Sequence, residues 1–553
     1  MHSYSSISKT VLVLASSLYL ACTRPDALFC ESSTDCTDPA RSFCDVGGAF
    51  AASDGVGNTC IVDPSGVPPV DAGPGDPDAA IVVPDATVQC TVSGDCSASL
   101  PICSDDMCEA CTFGTAGDSD CQLRDNTAPF CHSNGTCREC ISDSGCSGNA
   151  PVCDDSGVCG ACVDDDECAS GACGDVGSCV PTGSIVYVDS AGQDSNTCGN
   201  SQASACKNLS GLQGAIAKVA SGKTHLVMAP GTYTEPQLVV FVGKTVKVVG
   251  HGAQIVAPSL NGPALAVGFS SDLVLSDVTI LGGTGGVVGA GIDCTGANLR
   301  LVNVVVSGSE ASGIDALNCE LRVENSEISN HSAEGMTISG GTVTLLDTKI
   351  EDNGKRGAYL LNSVLHVERS RFFSNTLGGL RIENSSFHME STEVVNNGNL
   401  MSGEVTRRTG GIVIRNGVSA LSPQELFHCT VAGNVSPNFD IASAGVDCGV
   451  IPLLNTVDIN SSIVVGNRKN NMASSPVQVT SSCQVRFSAV TGIGENMGNI
   501  SELPDFVGSV GGNYHLNVGS PGTGAADPSS TVTTDIDGDV RPATGKDMGS
   551  DEV

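Results

Sequence analysis

The chain has 553 residues, 28 Cys, no Trp, only 20 Phe and Tyr together, and a formal net charge of −35. That length allows one large core plus accessory modules, and that charge argues against nucleic acid or an anionic membrane surface as a partner. The acid is uneven: residues 23–183 carry 27 Asp and Glu against 4 Arg and no Lys.

Residues 1–21 read as an export signal, because Lys9 precedes an apolar run from Val11 to Ala21 that is too short to span a membrane as a mature helix. The run ends Leu20-Ala21-Cys22, similar to the lipobox of bacterial lipoproteins, although Tyr19 stands where that pattern usually has Leu. The resemblance implies acylation of Cys22 and attachment to an outer membrane or cell surface through lipid alone. Several acyl chains, at ~0.8 kcal/mol per buried methylene, make such an anchor essentially permanent. Without acylation the protein is simply secreted.

Twenty Cys follow in five groups of four: Cys30/Cys36/Cys44/Cys60, Cys90/Cys96/Cys103/Cys108, Cys111/Cys121/Cys131/Cys137, Cys140/Cys146/Cys153/Cys159 and Cys162/Cys168/Cys173/Cys179. Pro-x-Cys recurs at the third position (Pro101, Pro129, Pro151) and Gly-x-Cys at the fourth (Gly135, Gly157, Gly177), so the region is a tandem repeat. An exported chain meets an oxidising compartment, and no His recurs beside these Cys, so disulfides are expected in place of zinc. Each unit has few large apolar residues; two bonds of about 2–4 kcal/mol each can replace a core. Connectivity stays open. The first unit occupies 22–61, a Pro/Asp/Gly-rich linker 62–89, and the other four 90–180. The acidic runs Asp105-Asp106, Asp154-Asp155 and Asp164 to Glu167 suggest either calcium or a solvated surface, and the solvated surface is preferred.

From Asn298 to Ser385 four segments of 22 residues superimpose column for column. Glycine recurs at Gly291, Gly313, Gly335, Gly357 and Gly379; Leu299, Leu321, Val343, Leu365 and Phe387 form one apolar column, and Leu301, Val323, Leu345, Val367 and Met389 another two residues on. A third runs Val306, Ile328, Ile350, Phe372 and Val394. Alternation within segments means short strands, and identity between segments means parallel stacking. Asn353, Asn375, Asn397 and Asn434 share a turn column, and Asn362, Asn384 and Asn416 another, where stacked amides can bond along the axis. The leucine-rich core pattern is absent, and the period is no multiple of six. The fold class is therefore all-β, a right-handed parallel β-helix of about 22 residues per turn over 185–520, and it resembles the pectate-lyase-like superfamily.

Ile185 to Asp189 opens the solenoid, and Leu212, Ala215, Ile216 and Val219 then sit at helical spacing after Ser210, an expected N-cap, with Gly222 as the stop. Tyr187-Val188-Asp189 with Ala229 to Thr234 is similar to the opening region of exported β-helix proteins, and Cys198 and Cys206 are expected to pair. Cys294 and Cys448 fall in the inward column of Ala316, Ile338, Leu360, Ile382 and Ile414; Cys429 and Cys483 also point inward, and all four are expected as free buried thiols, with Cys319 in a turn. Asn513 to Pro521, Asp535 to Pro542 and Asp547 to Glu552 resemble the closing segment of the same exported proteins, so 521–553 is expected to be a capping tail. Asp535, Asp537 and Asp539 alternate like calcium ligands, yet the Gly is misplaced for an EF-hand loop.

No catalytic set stands out. Gly250-His251-Gly252 is similar to the Gly-His-Gly of β-helix polygalacturonases, but it precedes nearly the whole solenoid, which has no Asp-Asp pair, so a structural turn is expected. No column offers an obvious facing pair of carboxylates for hydrolysis. The turn between ladder Asn and Gly lengthens from Asn397 to Gly411, from Asn434 to Gly445, and again after Asn467. In solenoids such insertions build a binding face. They bring Arg407, Arg408, Asp440, Arg468 and Lys469 beside strands carrying Tyr359, Arg381 and Arg415, the candidate ligand residues. The competing expectation is a lattice of cross-strand ion pairs.

The function expected is a surface lipoprotein whose β-helix binds extracellular polysaccharide or mediates adhesion without catalysis. The alternative is a calcium-dependent polysaccharide lyase using the Arg381 and Arg415 face. A third is structural display, with the Cys-rich units as the interaction module. No metal site or cofactor is assigned, calcium being the one candidate.

Overall fold

The computed structural model describes the backbone of 43–45 and 59–61, then 93, 96 and 100–553 apart from 105–106, 125–126, 147–149, 221, 259–260, 400–408, 416–423, 437–440, 450–455 and 470–476. Two compact units divide the chain, Met1–Thr87 and Val88–Val553. In the first, Phe43–Asp45 pairs antiparallel with Thr59–Ile61. The export signal, the linker and Cys22, Cys30, Cys36 and Cys90 lie outside the described residues, as do the side chains of Cys44 and Cys60.

In the second unit the Cys-rich repeats resolve into one connectivity, first to third and second to fourth. Cys111–Cys131, Cys140–Cys153 and Cys162–Cys173 make the first kind of bond. Cys96–Cys108, Cys121–Cys137, Cys146–Cys159 and Cys168–Cys179 make the second. Cys103 is also disulfide-bonded. The third and fourth Cys sit opposite each other on a short hairpin, as in Val152–Cys153 with Cys159–Gly160. The recurrent glycine turns that hairpin: Gly157 has φ +79° and Gly177 φ +73°, which a side chain would strain. An Asp carboxylate closes each of the last three units by accepting the amide of the third Cys, from Asp118 to Cys131, Asp143 to Cys153 and Asp165 to Cys173. Asp154 and Glu167 likewise accept backbone amides of their own turns, so the acidic runs shape loops.

Three parallel sheets then wind around one apolar tube. A turn contributes one strand to each, for example Arg356–Leu361 to the first, Val364–Glu368 to the second and Arg371–Phe373 to the third. The expected columns are the observed register. Leu299 pairs with Leu321, then Val343, Leu365 and Phe387. Ile328, Ile350, Phe372 and Val394 align in the third sheet. All of these side chains are buried. The glycine column exists because adjacent turns approach closely there: a Cβ on Gly335 would lie 2.6 Å from the Gly357 carbonyl oxygen.

The two asparagine columns differ. Asn353, Asn375, Asn397, Asn434 and Asn467 are fully buried, and each Nδ2 donates to the next Oδ1 at 2.8–3.0 Å. His331 continues the column at one end and Gln478 at the other. Asn362 and Asn384 instead hold left-handed corners at φ 54° and 48°, a conformation in which Asn is favoured among residues with side chains. Their role is conformational, and Asn416 lies outside the described residues.

Several expectations need correction. Cys294 is bonded to Cys319, and Cys448 to Cys483; among the described cysteines only Cys429 is free, and it is buried. Inward columns show which residues stack vertically, but these pairs meet sideways, across the corner between the first and second sheets. Cys198 does pair with Cys206. The N-terminal cap is a single 3-10 turn, Ala215–Lys218, with Gly214 at its start. Leu212 is exposed, and Ser210 instead contributes its backbone amide, with that of Leu209, to the buried Glu235 carboxylate. The C-terminal segment packs against the side of the solenoid. It folds back along the third sheet, where Tyr514, Leu516, Ala526 and Met548 cover Val395, Ala432, Ile463 and Val465.

Candidate functional site

The outward face of the first sheet carries one side chain per turn in a single column: Asp293, Asp315, Thr337, Tyr359 and Arg381. Rungs in such a stack are ~4.8 Å apart. Asp293 and Asp315 are exposed, while Thr337, Tyr359 and Arg381 are half-buried. The column then changes character: Val413 and Asp447 continue it, but both are buried. Residues 441–447 wall it off, since the Asp447 carboxylate accepts the amides of Ala442 and Gly449 and also binds Arg415 at 2.9 Å.

Charge along this face is paired locally. Arg356 meets Glu334 at 2.9 Å, and its guanidinium lies 5.9 Å from the centroid of the Tyr359 ring. Glu383 receives Arg381 at 2.5 Å and the Tyr359 hydroxyl at 3.2 Å. Burial, followed by the Glu383 charge, raises the Tyr359 phenol above its ordinary range. Asp315 is raised too, first by desolvation and then by Asp293 and Glu334.

Of the expected ligand residues, Tyr359, Arg381 and Arg415 do share this face, although Arg415 is committed to Asp447. Arg468 and Lys469 form a short parallel pair with Val435–Ser436 elsewhere on the turn, and the Lys469 ammonium donates to the Ile441 carbonyl. Arg407, Arg408 and Asp440 lie outside the described residues. The Asp293 and Asp315 pair is the feature the sequence reading passed over. A search for adjacent Asp-Asp misses it, whereas the 22-residue period places these two one above the other.

The second sheet carries ion pairs of its own. Arg300 and Arg322 converge on Glu324, Arg486 meets Asp458, and His388 lies between Glu390 and Glu425. Its hydrogen bond to Glu390 is the largest influence raising His388. At the N-terminal end a cleft of about 930 Å³ separates the last Cys-rich unit from this sheet, lined by Asp164 to Glu167, Lys247, His251 and Arg300. Here His251 finds its role: its ring nitrogens face Asp166 at 2.6 Å and the Gly171 carbonyl at 2.9 Å, while Lys247 binds Asp165. The Gly-His-Gly turn is a docking contact for the Cys-rich unit. The Cys triplets close enough to hold a metal, such as Cys111, Cys121 and Cys131, are consumed by disulfides.

The family described as right-handed β-helix region matches residues 290–470, and a family of unknown function matches 78–185. No curated protein matches the chain. Among solved structures, pectate lyase Pel9A covers 66% of this chain and 96% of its own at 14% identity, with a TM-score of 0.43. A rhamnogalacturonan lyase covers 59% and 91% at 11% identity and TM-score 0.28. The A-module of the Azotobacter vinelandii mannuronan C-5 epimerase AlgE4 covers 50% and 93% at 10% identity and TM-score 0.25. The likeness is one of fold: the chain forms a right-handed parallel β-helix behind disulfide-rich repeats.

Proposed function

We propose that the β-helix binds an extended extracellular polysaccharide along the open outward column of the first sheet, without cleaving it. The observation that carries this is the column itself, which offers Asp293, Asp315, Thr337, Tyr359 and Arg381 at one polar group per rung. A linear ligand with a repeat close to the rung spacing can hydrogen-bond to every turn, and the wall at 441–447 ends the track. Tyr359 supplies the one aromatic surface of this column. Both Arg381 and Arg415 are held on carboxylates, an arrangement suited to orienting hydroxyls and acid groups more than to abstracting a proton.

Affinity electrophoresis through neutral and acidic polysaccharides tests this. Tyr359→Ala and Arg381→Ala should each weaken retention about tenfold, at roughly 1.5 kcal/mol per lost contact, with the melting temperature nearly unchanged. Wild-type retention in the double variant would remove the site from this face. One observation favours a second reading: Asp293 and Asp315 occupy adjacent rungs with Asp315 raised, as an acid–base pair requires. Release of reducing ends or of unsaturated uronate absorbance, lost in Asp315→Asn, would replace binding by catalysis.

The proposal includes export and a lipid anchor at Cys22, which the Leu20-Ala21-Cys22 sequence supports. Labelled fatty acid should enter the wild-type chain but not Cys22→Ala, which should leave the membrane fraction. An unlabelled, soluble wild-type protein would refute the anchor.

A further inference from the structure

The C-terminal layer brings three distant segments to one point. His515 lies on the strand Asn513–Leu516, Asp537 in the turn after Asp535, and Asp551 two residues before the last. One ring nitrogen, Nδ1 of His515, faces Asp537 Oδ2 at 3.4 Å and Asp551 Oδ1 at 3.3 Å, and all three atoms lie within 4.8 Å of one another. We propose that His515, Asp537 and Asp551 bind a divalent transition-metal ion, Zn²⁺ by preference, which ties three segments of this layer to one another.

The geometry separates this from an ordinary ion pair. Both contacts, at 3.4 and 3.3 Å, are longer than the about 2.7–2.9 Å of a charge-assisted hydrogen bond. An imidazole nitrogen and two carboxylate oxygens gathered this closely are a ligand set. Tetrahedral bonds of about 2.0–2.1 Å place ligand atoms about 3.3–3.4 Å apart, which matches the two distances from His515 to its carboxylates. A nitrogen donor selects against calcium and magnesium, which take oxygen.

The surroundings orient the ligands. Asp551 is buried, and its other oxygen accepts the Leu516 amide at 2.7 Å, which turns Oδ1 toward His515. Asp535 is buried as well, and its carboxylate accepts the amides of Asp537, Asp539 and Glu552, fixing the turn that presents Asp537. The alternation of Asp535, Asp537 and Asp539 thus has one supporting residue and one ligand.

The untagged full chain, dialysed against EDTA, is titrated with Zn²⁺ by calorimetry. One equivalent should bind; His515→Ala should abolish binding, and Asp535→Asn should weaken it roughly 10–100-fold through loss of ligand orientation. His388→Ala, which removes the histidine of the second-sheet ion pairs, should bind as wild type does. No binding by wild type, or equal binding by His515→Ala, overturns the proposal. Should His515→Ala fail to fold, Co²⁺ added to the wild-type protein decides: tetrahedral nitrogen–oxygen absorption bands support the site, and an octahedral or aqueous spectrum overturns it.

Discussion

His331 stands at one end of a column whose next five members are asparagine, and its partners fix its charge state. Nδ1 accepts from the Ser309 amide and hydroxyl, while Nε2 faces the Val306 carbonyl, so the buried ring is neutral with its proton on Nε2. Burial lowers its pKa from 6.5 to about 4. The unfolded chain therefore takes up a proton that the folded chain refuses. This contribution to stability is complete above pH 6.5 and is lost as pH falls toward 4, by on the order of 3 kcal/mol. In His331→Asn the amide ladder should extend by one rung, and the decline of unfolding free energy between pH 6.5 and 4 should be shallower by about that amount. An unchanged pH profile would show that the ring is solvated. His428, lowered to about 3 by burial and the Arg541 charge, should keep its own dependence in that variant.

At the scale of the strand and its corner, residue type alone does not reveal role. Asn375 and Asn362 both read as ladder residues from spacing, yet only Asn375 is buried in an amide chain, with its oxygen bonded to Asn353 and its amide to Asn397 and the Ile350 carbonyl. Asn375→Ala leaves a buried donor and a carbonyl without partners and should cost about 3 kcal/mol in a denaturant melt. Asn362→Gly should be neutral within about 0.5 kcal/mol, because it keeps the left-handed corner. Equal losses would mean that both columns are ladders. The register was legible because a 22-residue period with alternating apolar positions admits one stacking, and burial follows from it. The corner cystines were not, since Cys294 and Cys319 are 25 residues apart and meet between columns. The same limit explains the candidate site: the period identifies Asp293 over Asp315, but only the fold shows that Arg415 turns to Asp447 and that the open track stops there.

Across the whole molecule, the legible and illegible parts divide by contact order. Stacking between turns repeats locally and leaves a trace in sequence; the C-terminal layer, whose Ser550 reaches Thr430 and whose Thr534 carbonyl reaches Ser391, leaves none. The same holds for the Cys-rich unit that meets the solenoid through His251 and Lys247. The two corner cystines carry a mechanical consequence for a solenoid placed under tension. A bare solenoid under tension would unspool coil by coil from either terminus. Here Cys294–Cys319 and Cys448–Cys483 each tie one turn into a covalent ring, with separations of 25 and 35 residues. At about 3.5 Å per extended residue, the rings withhold roughly 90 and 120 Å of slack. Force entering from either terminus meets one of these rings before it reaches the rungs that present Thr337, Tyr359 and Arg381, so those coils lie between two hoops.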